Sequence, residues 1–334
     1  MKRVFVAMSG GVDSSVAAAL LKKQRYEVTG VFMKLTALPS FQEAEKRARK
    51  IAKILKIPFL TWDFRKEFKK KVINYFLAEY QKGRTPNPCV ICNQEIKFGL
   101  FLEKCLKLKT DFMATGHYVR KLKIKNWKLK IARDRTKDQS YFLWRLNQKK
   151  LERVLFPVGN YTKTQVRNLA RKFKLPVLNV PESQEICFIA KRVNDFLKQH
   201  LKPRPGKIIT TKGKVIGQHP GIFYFTIGQR RGLEISGNKP YYVAAKDVKN
   251  NILIVAEGQD NSALFKKEIE LEKMNYANKK MWVLVRVRYR QPLVKAILQQ
   301  NKLIFEKPVE FVTPGQSAVF YAKNGELLGG GIIK

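Results

Sequence analysis

The sequence predicts an α/β chain: a parallel sheet with helices on both faces, followed by two small β modules. Three observations predict it. Through the first half, short apolar runs alternate with segments of helical periodicity, the pattern of a sheet wrapped by helices. The first of those runs breaks into Ser9-Gly10-Gly11, a strand-to-helix turn. Beyond residue 200 the helical periodicity gives way to β-type runs punctuated by turn residues.

Taken in order, Val4 to Met8 is a short buried strand and Val16 to Lys23 the helix after it. Val28 to Met33 is the second strand. Ala44, Ala48, Ile51, Ala52 and Leu55 share one helical face. Pro58 to Trp62 is the third strand, Phe68 to Tyr80 an amphipathic helix, and Phe112 to Thr115 a fourth strand ending at Gly116-His117. Val119 to Arg133 alternates basic and apolar residues around Asn126-Trp127, which predicts a hairpin. Thr162-Lys163-Thr164-Gln165 fits a capping box opening a helix through Phe173. Pro203-Arg204-Pro205-Gly206 reads as a linker, and Lys212-Gly213, Asn250-Asn251 and Asn324-Gly325 as turns. The expected domains are 1–199, a small central β domain at 200–256 and a C-terminal barrel-like domain at 257–334.

A chain of 334 residues has room for two or three cores. No apolar run approaches the ~20 residues that cross a bilayer. The basic Met1-Lys2-Arg3 start is followed too soon by Ser9-Gly10-Gly11 for a signal peptide. A cytoplasmic protein without a membrane partner is expected. Lys and Arg number 67 against 26 Asp and Glu, a formal charge of +41, which points to a polyanionic partner such as nucleic acid. A lysine-biased composition is the lesser alternative. Four cysteines (Cys89, Cys92, Cys105, Cys187) are too few for a disulfide scaffold of this size.

The strongest local signal is Ser9-Gly10-Gly11-Val12-Asp13-Ser14-Ser15. Between a strand and a helix, backbone N–H groups and the helix dipole hold an anion. The glycines let the backbone approach phosphate oxygens, and the serines add donors. Asp13 repels phosphates unless Mg²⁺ or a donor network offsets it, so a cation is expected there. The spacing matches neither a Walker A loop nor a dinucleotide loop.

Cys89 and Cys92 follow the stiff stretch Thr85-Pro86-Asn87-Pro88, with Cys92 at the start of the next helix. That position and Lys97 predict a lowered thiol pKa. Cys187 is a second candidate, 95 positions away in sequence, and Cys105 reads as core. Two thiols suit persulfide transfer, one carrying the sulfur and the other completing its cleavage to leave a disulfide. Cys89, Cys92 and Cys187 also suit a zinc or iron–sulfur site, although there is no second CxxC. Arg286, Arg288 and Arg290 alternate with Val285, Val287 and Tyr289, predicting three guanidinium groups on one strand face, suited to a phosphate backbone.

The loop resembles the pyrophosphate loop of the PP-loop superfamily, an adenine nucleotide alpha hydrolase-like fold. The resemblance implies that ATP, with Mg²⁺, adenylates a carbonyl oxygen. It places Ala7, Met8, Ser9, Gly10, Gly11, Val12, Asp13, Ser14, Met33 and Gly116 around the nucleotide. Within that group SGGVDSS, TPNPCVICNQEIKF, ATGHY, KDQSYFLWRL, SQEICFI, FYFTIGQRRGL and TPGQSAVFY, in this order, resemble the tRNA-specific 2-thiouridylases. That likeness implies 2-thiolation of the wobble uridine of tRNA, with Cys92 as nucleophile, Cys187 as persulfide carrier and Asp13 acting on the nucleotide. It implies tRNA contacts by His117, Lys137, Asp138, Gln139, Arg288, Tyr289 and Gln316. A persulfide donor, such as a cysteine desulfurase or a sulfur-relay protein, is the implied partner. Many such enzymes carry Asp where this chain has Cys89, so an iron–sulfur cluster on Cys89, Cys92 and Cys187 stays open as the alternative.

Overall fold

In the computed structural model, which describes residues 1–181, 186–237, 239–276 and 280–334, the chain forms two units. The first comprises residues 1–73, 88–190 and 324–327, and the second residues 74–87, 191–323 and 328–334. Ser183, Gln184 and Glu185 of the second cysteine motif lie outside the described residues.

The first unit is built on β1 (Arg3–Ala7), α1 (Val12–Lys23), β2 (Glu27–Lys34), α2 (Pro39–Ile54) and β3 (Phe59–Asp63). A helix then starts as α3 (Arg65–Phe68), widens into a π-helical turn at Lys69–Ile73 and continues as α4 (Asn74–Gln81), where the chain enters the second unit. Returning, it forms α5 (Pro88–Cys92), a π-helical stretch at Asn93–Phe101, and α6 (Leu102–Lys107). There follow β4 (Phe112–Ala114), the hairpin β5 (Arg120–Lys123) and β6 (Trp127–Lys130), α7 (Gln148–Glu152), β7 (Val154–Leu155) and α8 (Lys163–Lys172).

The five strands run parallel in the order β3-β2-β1-β4-β7. Successive strands step one way from β1 to β3 and the other way from β4 to β7. Direction therefore reverses between β1 and β4, and a crevice at the carboxyl ends of those two strands is where open α/β sheets bind ligands. Helix α1 is apolar on nearly every face: Val12, Val16, Ala17, Ala18, Ala19, Leu20 and Leu21 are all buried. It packs against β1, β2 and α8. Each fully buried valine or leucine contributes about 1.5–3 kcal/mol, so this helix fixes the loop that precedes it. The capping box of α8 forms as expected, with Thr162 accepting from the Gln165 N–H and Gln165 from the Thr162 N–H.

The second unit holds α4, α9 (Val193–His200) and two β modules. β8 (Gly206–Thr210), β9 (Val215–His219), β10 (Tyr241–Asp247) and β11 (Ile252–Glu257) form a sheet in the order β10-β11-β8-β9. β12 (Phe265–Glu272), β13 (Met281–Arg286), β14 (Val294–Gln299), β15 (Lys302–Glu310), β16 (Ser317–Tyr321) and β17 (Leu327–Ile333) close a barrel. Val283, Val285, Ala296, Leu298, Leu303 and Phe305 fill it by period-two alternation.

One expectation fails here. β13 ends at Arg286, so Arg286, Arg288 and Arg290 do not line one strand face. The chain turns at once: Gln291 N–H donates to the Arg288 carbonyl at 3.2 Å, and Arg290 sits at φ +68°. Pro292 follows, and without an N–H it cannot extend the ladder.

A candidate nucleotide and thiol site

The turn between β1 and α1 needs the first of its glycines. Gly10 adopts φ +74°, and a Cβ there would lie 2.4 Å from the Ala44 carbonyl oxygen. Gly11 is the extended N-cap of α1 and brings no side chain to satisfy the first-turn N–H groups. Those donors stay open to an anion. The serines brace the turn: Ser9 N–H donates to Ser14 Oγ at 3.1 Å, and Ser15 Oγ donates to the Gly11 carbonyl at 2.7 Å. Gly116, at the end of β4, presses on the same helix start, since a Cβ there would meet Ser14 N at 2.6 Å. The two loops at the switch point are thus in direct backbone contact. Ala7, Met8, Val12 and Ser14 are buried around it, and Met33 is half-buried near the end of β2.

Asp13, in the first turn of α1, carries the cation the sequence demanded. Lys163 Nζ reaches both carboxylate oxygens at 2.8 and 2.9 Å, and Tyr118 Oη donates at 2.7 Å. Lys163 is 8% exposed. It is the first residue of α8, aimed by the capping box and by its own N–H, which donates to Asp134 Oδ2 at 2.9 Å. Tyr118 is held in turn by Gln139, whose Oε1 accepts its N–H at 2.9 Å. Sequence reasoning missed Lys163 and Tyr118; the capping box that positions Lys163 was the available signal.

The candidate thiols share this unit. Cys92, Cys89 and Cys187 all fall in the first unit, and the Cys187 thiol feels the charge of both others. Cys187 lies in a tight turn closed by Ile189 N–H donating to the Ile186 carbonyl at 2.9 Å, anchored where Phe188 packs edge-on against Phe68 at 5.7 Å. Lys97 is the shared cation: its field lowers the pKa of all three thiols. Burial outweighs it. Desolvation pushes Cys92 up to about 11 and raises Cys89 and Cys187 too, although these two residues reach the surface. The expected low-pKa Cys92 is therefore corrected. The helix starts at Pro88, so Cys92 lies a full turn inside it and is buried. Cys105 is fully buried among apolar groups and pushed up to about 12.

Lys97 also links the two halves of the site. Burial, and after it the Lys97 field, depresses the pKa of His117, which directly follows Gly116. Gly116, which meets the start of α1, is thus followed in the chain by a residue within the field of Lys97.

Comparison with known proteins fits this geometry. The tRNA methyl transferase HUP domain family matches residues 2–191, its PRC-barrel domain family residues 194–257, and the aminomethyltransferase beta-barrel domain family residues 263–333. The chain is 46% identical to the tRNA-specific 2-thiouridylase MnmA 2 of Thermoanaerobacter sp. (strain X514), with 99% of this chain and 98% of that protein covered. The tRNA-specific 2-thiouridylase MnmA of Limosilactobacillus reuteri (strain DSM 20016) is 41% identical over 99% of this chain and 95% of its own length. That of Buchnera aphidicola subsp. Acyrthosiphon pisum (strain APS) is 42% identical over 100% and 97%. The chain belongs to the tRNA-specific 2-thiouridylase family.

For a 2-thiouridylase-family protein, several residues expected at the RNA are engaged internally. Asp138 is 2% exposed, accepting from the Ala132 N–H, the Ser140 N–H and Ser140 Oγ. His117 is buried, kept neutral by desolvation, and its Nδ1 lies 2.7 Å from Thr115 Oγ1. Gln139 supports Tyr118, while Lys137 is half-buried beside it in sequence. In the second unit, Arg288 and Tyr289 are half-buried, and Arg288 lies close enough to Tyr80 for its charge to act on that phenol. Gln316 Nε2 donates to the Thr85 carbonyl at 2.8 Å, and Thr85 N–H donates to the Pro314 carbonyl at 2.9 Å. These bonds clamp the stretch leading to the cysteine helix.

Of the two cofactor groups considered, Mg²⁺ fits the donors: one carboxylate, Asp13, beside a phosphate cradle is its usual minimum. Among the described residues, no three His, Cys, Asp or Glu side chains are set to hold a metal ion together.

Proposed function

We propose that this chain converts the wobble uridine of tRNA to 2-thiouridine. ATP lies on the Ser9–Ser14 turn at the β1/β4 crevice, between Met33 and Gly116. The base, flipped out of its stack, presents its C2 oxygen for adenylation. Asp13 would hold the Mg²⁺ that arrives with ATP, which supplies charge neutralisation on the polyphosphate. To do so Asp13 gives up part of its pairing with Lys163, and the freed ammonium stands beside the loop where phosphate charge gathers. Sulfur carried as a persulfide on Cys187 then replaces the activated oxygen, and Cys92 completes its cleavage. Pyrophosphate has left at adenylation, and a disulfide and AMP remain.

What carries this reading is the meeting, in one unit, of an anion-binding turn with Cys92 and Cys187, joined through His117 and Lys97. His117, Lys137, Asp138, Gln139, Arg288, Tyr289 and Gln316 are assigned to the tRNA side. Asp138, Gln139 and Gln316 act there by shaping loops. The sulfur donor is a persulfide-bearing protein such as a cysteine desulfurase or a sulfur-relay protein, and the setting is the cytoplasm. The test is Cys187→Ala: adenylation of unmodified tRNA, read as pyrophosphate released with tRNA present, persists while 2-thiouridine falls to background. Loss of adenylation in that variant overturns this division of labour.

A further inference from the structure

The mechanism above uses two thiols and leaves an oxidised pair behind, while the helix that carries Cys92 carries a third thiol, Cys89. Cys89 and Cys92 are three residues apart on α5, so they share a helix face. At that spacing their Cβ atoms are about 5–6 Å apart. A disulfide needs about 3.5–4.5 Å, within reach of a small adjustment beside the first residue of the helix, Pro88. The Cys187 thiol feels both of them. Exposure divides the three: Cys92 is 7% exposed, while Cys89 and Cys187 open to solvent.

We propose that Cys89 is the resolving thiol that clears the Cys92–Cys187 disulfide and returns Cys187 to service; this rests on the persulfide reading above. Cys89 gives up its proton and its Sγ attacks Cys92 Sγ. The Cys89–Cys92 bond forms as the Cys92–Cys187 bond breaks, and Cys187 leaves as a thiolate that takes up a proton. The step is an exchange with no net oxidation. A small dithiol reductant then delivers two electrons and two protons to the Cys89–Cys92 disulfide at its exposed sulfur, becoming a disulfide itself.

The arrangement favours this direction. Without Cys89, a reductant must attack a disulfide whose Cys92 sulfur is buried. Lys97 stabilises whichever thiolate forms during the exchange.

The experiment loads the full-length protein with inorganic polysulfide, removes the excess, and allows one turnover with ATP and unmodified tRNA. After acid quench and alkylation, peptide mass mapping locates the disulfide. Wild type should hold Cys89–Cys92 with Cys187 alkylated, and Cys89→Ser should hold Cys92–Cys187. At limiting dithiothreitol, Cys89→Ser should lose about tenfold in repeated turnover relative to its first turnover and recover in excess dithiothreitol. Cys89→Ala should behave alike, separating the lost thiol from an effect of the new hydroxyl. Wild type that stops at Cys92–Cys187 with Cys89 alkylated overturns the relay. Thiolated tRNA with no disulfide among the three cysteines in either protein overturns the persulfide reading beneath it.

Discussion

At the scale of residues, the site is governed by charges that burial holds in tension. Lys163 is almost wholly enclosed and its ammonium needs Asp13; removing one member of such a pair costs about 3–5 kcal/mol. Lys163→Met should therefore lower stability and weaken ATP turnover by about 10–100-fold, as expected for lost charge stabilisation of the phosphates. In a double-mutant cycle with Asp13→Asn, the two effects should be strongly non-additive. Asp13→Ala should cut nucleotide turnover far more than tRNA affinity, which a gel shift beside an AMP-release assay measures; the reverse ranking would remove Asp13 from the nucleotide. The thiols titrate in the opposite sense to an activated nucleophile. With Cys92 at about 11 against its ordinary 9.0, its thiolate at pH 8 is about a hundredfold scarcer than that of a free cysteine. Alkylation of the ligand-free protein should climb about tenfold per pH unit up to about pH 11. Lys97→Met should slow it further at every pH, because Lys97 is what lowers these thiols. Stability follows the same protons. Cys92 and Cys105 hold theirs more tightly when folded, so their contribution is intact below about pH 9 and is lost as pH rises through about 11 and 12.

At the scale of elements, what the sequence discloses depends on whether the cause is local. The central parallel strand β1 is an apolar run buried on both faces, and the phosphate turn is a contiguous glycine–serine–aspartate string, so both are legible without tertiary knowledge. The capping box at Thr162 is legible for the same reason. Its consequence is not: Lys163 lies 150 positions from Asp13 and Tyr118 lies 105, and only the fold makes them partners. Strand β7, two residues long, gives no periodicity to detect. The arginine alternation after Val285 imitates a strand because period two describes composition, and the turn that breaks it depends on Arg290 and Pro292. The Cys92 environment was misjudged because placing the helix start four residues late turns a buried thiol into a terminal one. The meeting of β4 with α1 offers an element-level test. Gly116→Ala would put a methyl group 2.6 Å from Ser14 N, against backbone that cannot yield without moving the turn. Overpacking of this kind costs about 1–3 kcal/mol. The expected result is a Tm lowered by a few degrees with ATP turnover reduced more than tRNA binding, whereas an unchanged KM for ATP would separate this contact from the nucleotide.

At the scale of the whole molecule, the formal charge of +41 is either a device for holding RNA or a by-product of lysine-rich composition. The two differ in where the charge acts. Contacts to phosphates release condensed counterions, so affinity falls steeply and linearly with the logarithm of salt. About 6–10 phosphate contacts lose roughly 10³–10⁵ in affinity between 50 and 200 mM salt on duplex DNA, with shallower slopes on single strands. Charge that merely decorates the surface is screened without touching a specific equilibrium. Adenylation is a separate matter. In the proposed arrangement the phosphates of ATP meet a preorganised turn of backbone N–H groups beside the Asp13–Lys163 pair, whose ammonium is largely buried and poorly reached by dissolved ions. The protein should therefore show two salt responses. Filter binding of unmodified tRNA should weaken by at least about a hundredfold from 50 to 200 mM KCl, while AMP release at saturating tRNA should change by less than about threefold. A flat tRNA isotherm across that range would assign the basic excess to composition alone and would place recognition in shape and base contacts at the crevice.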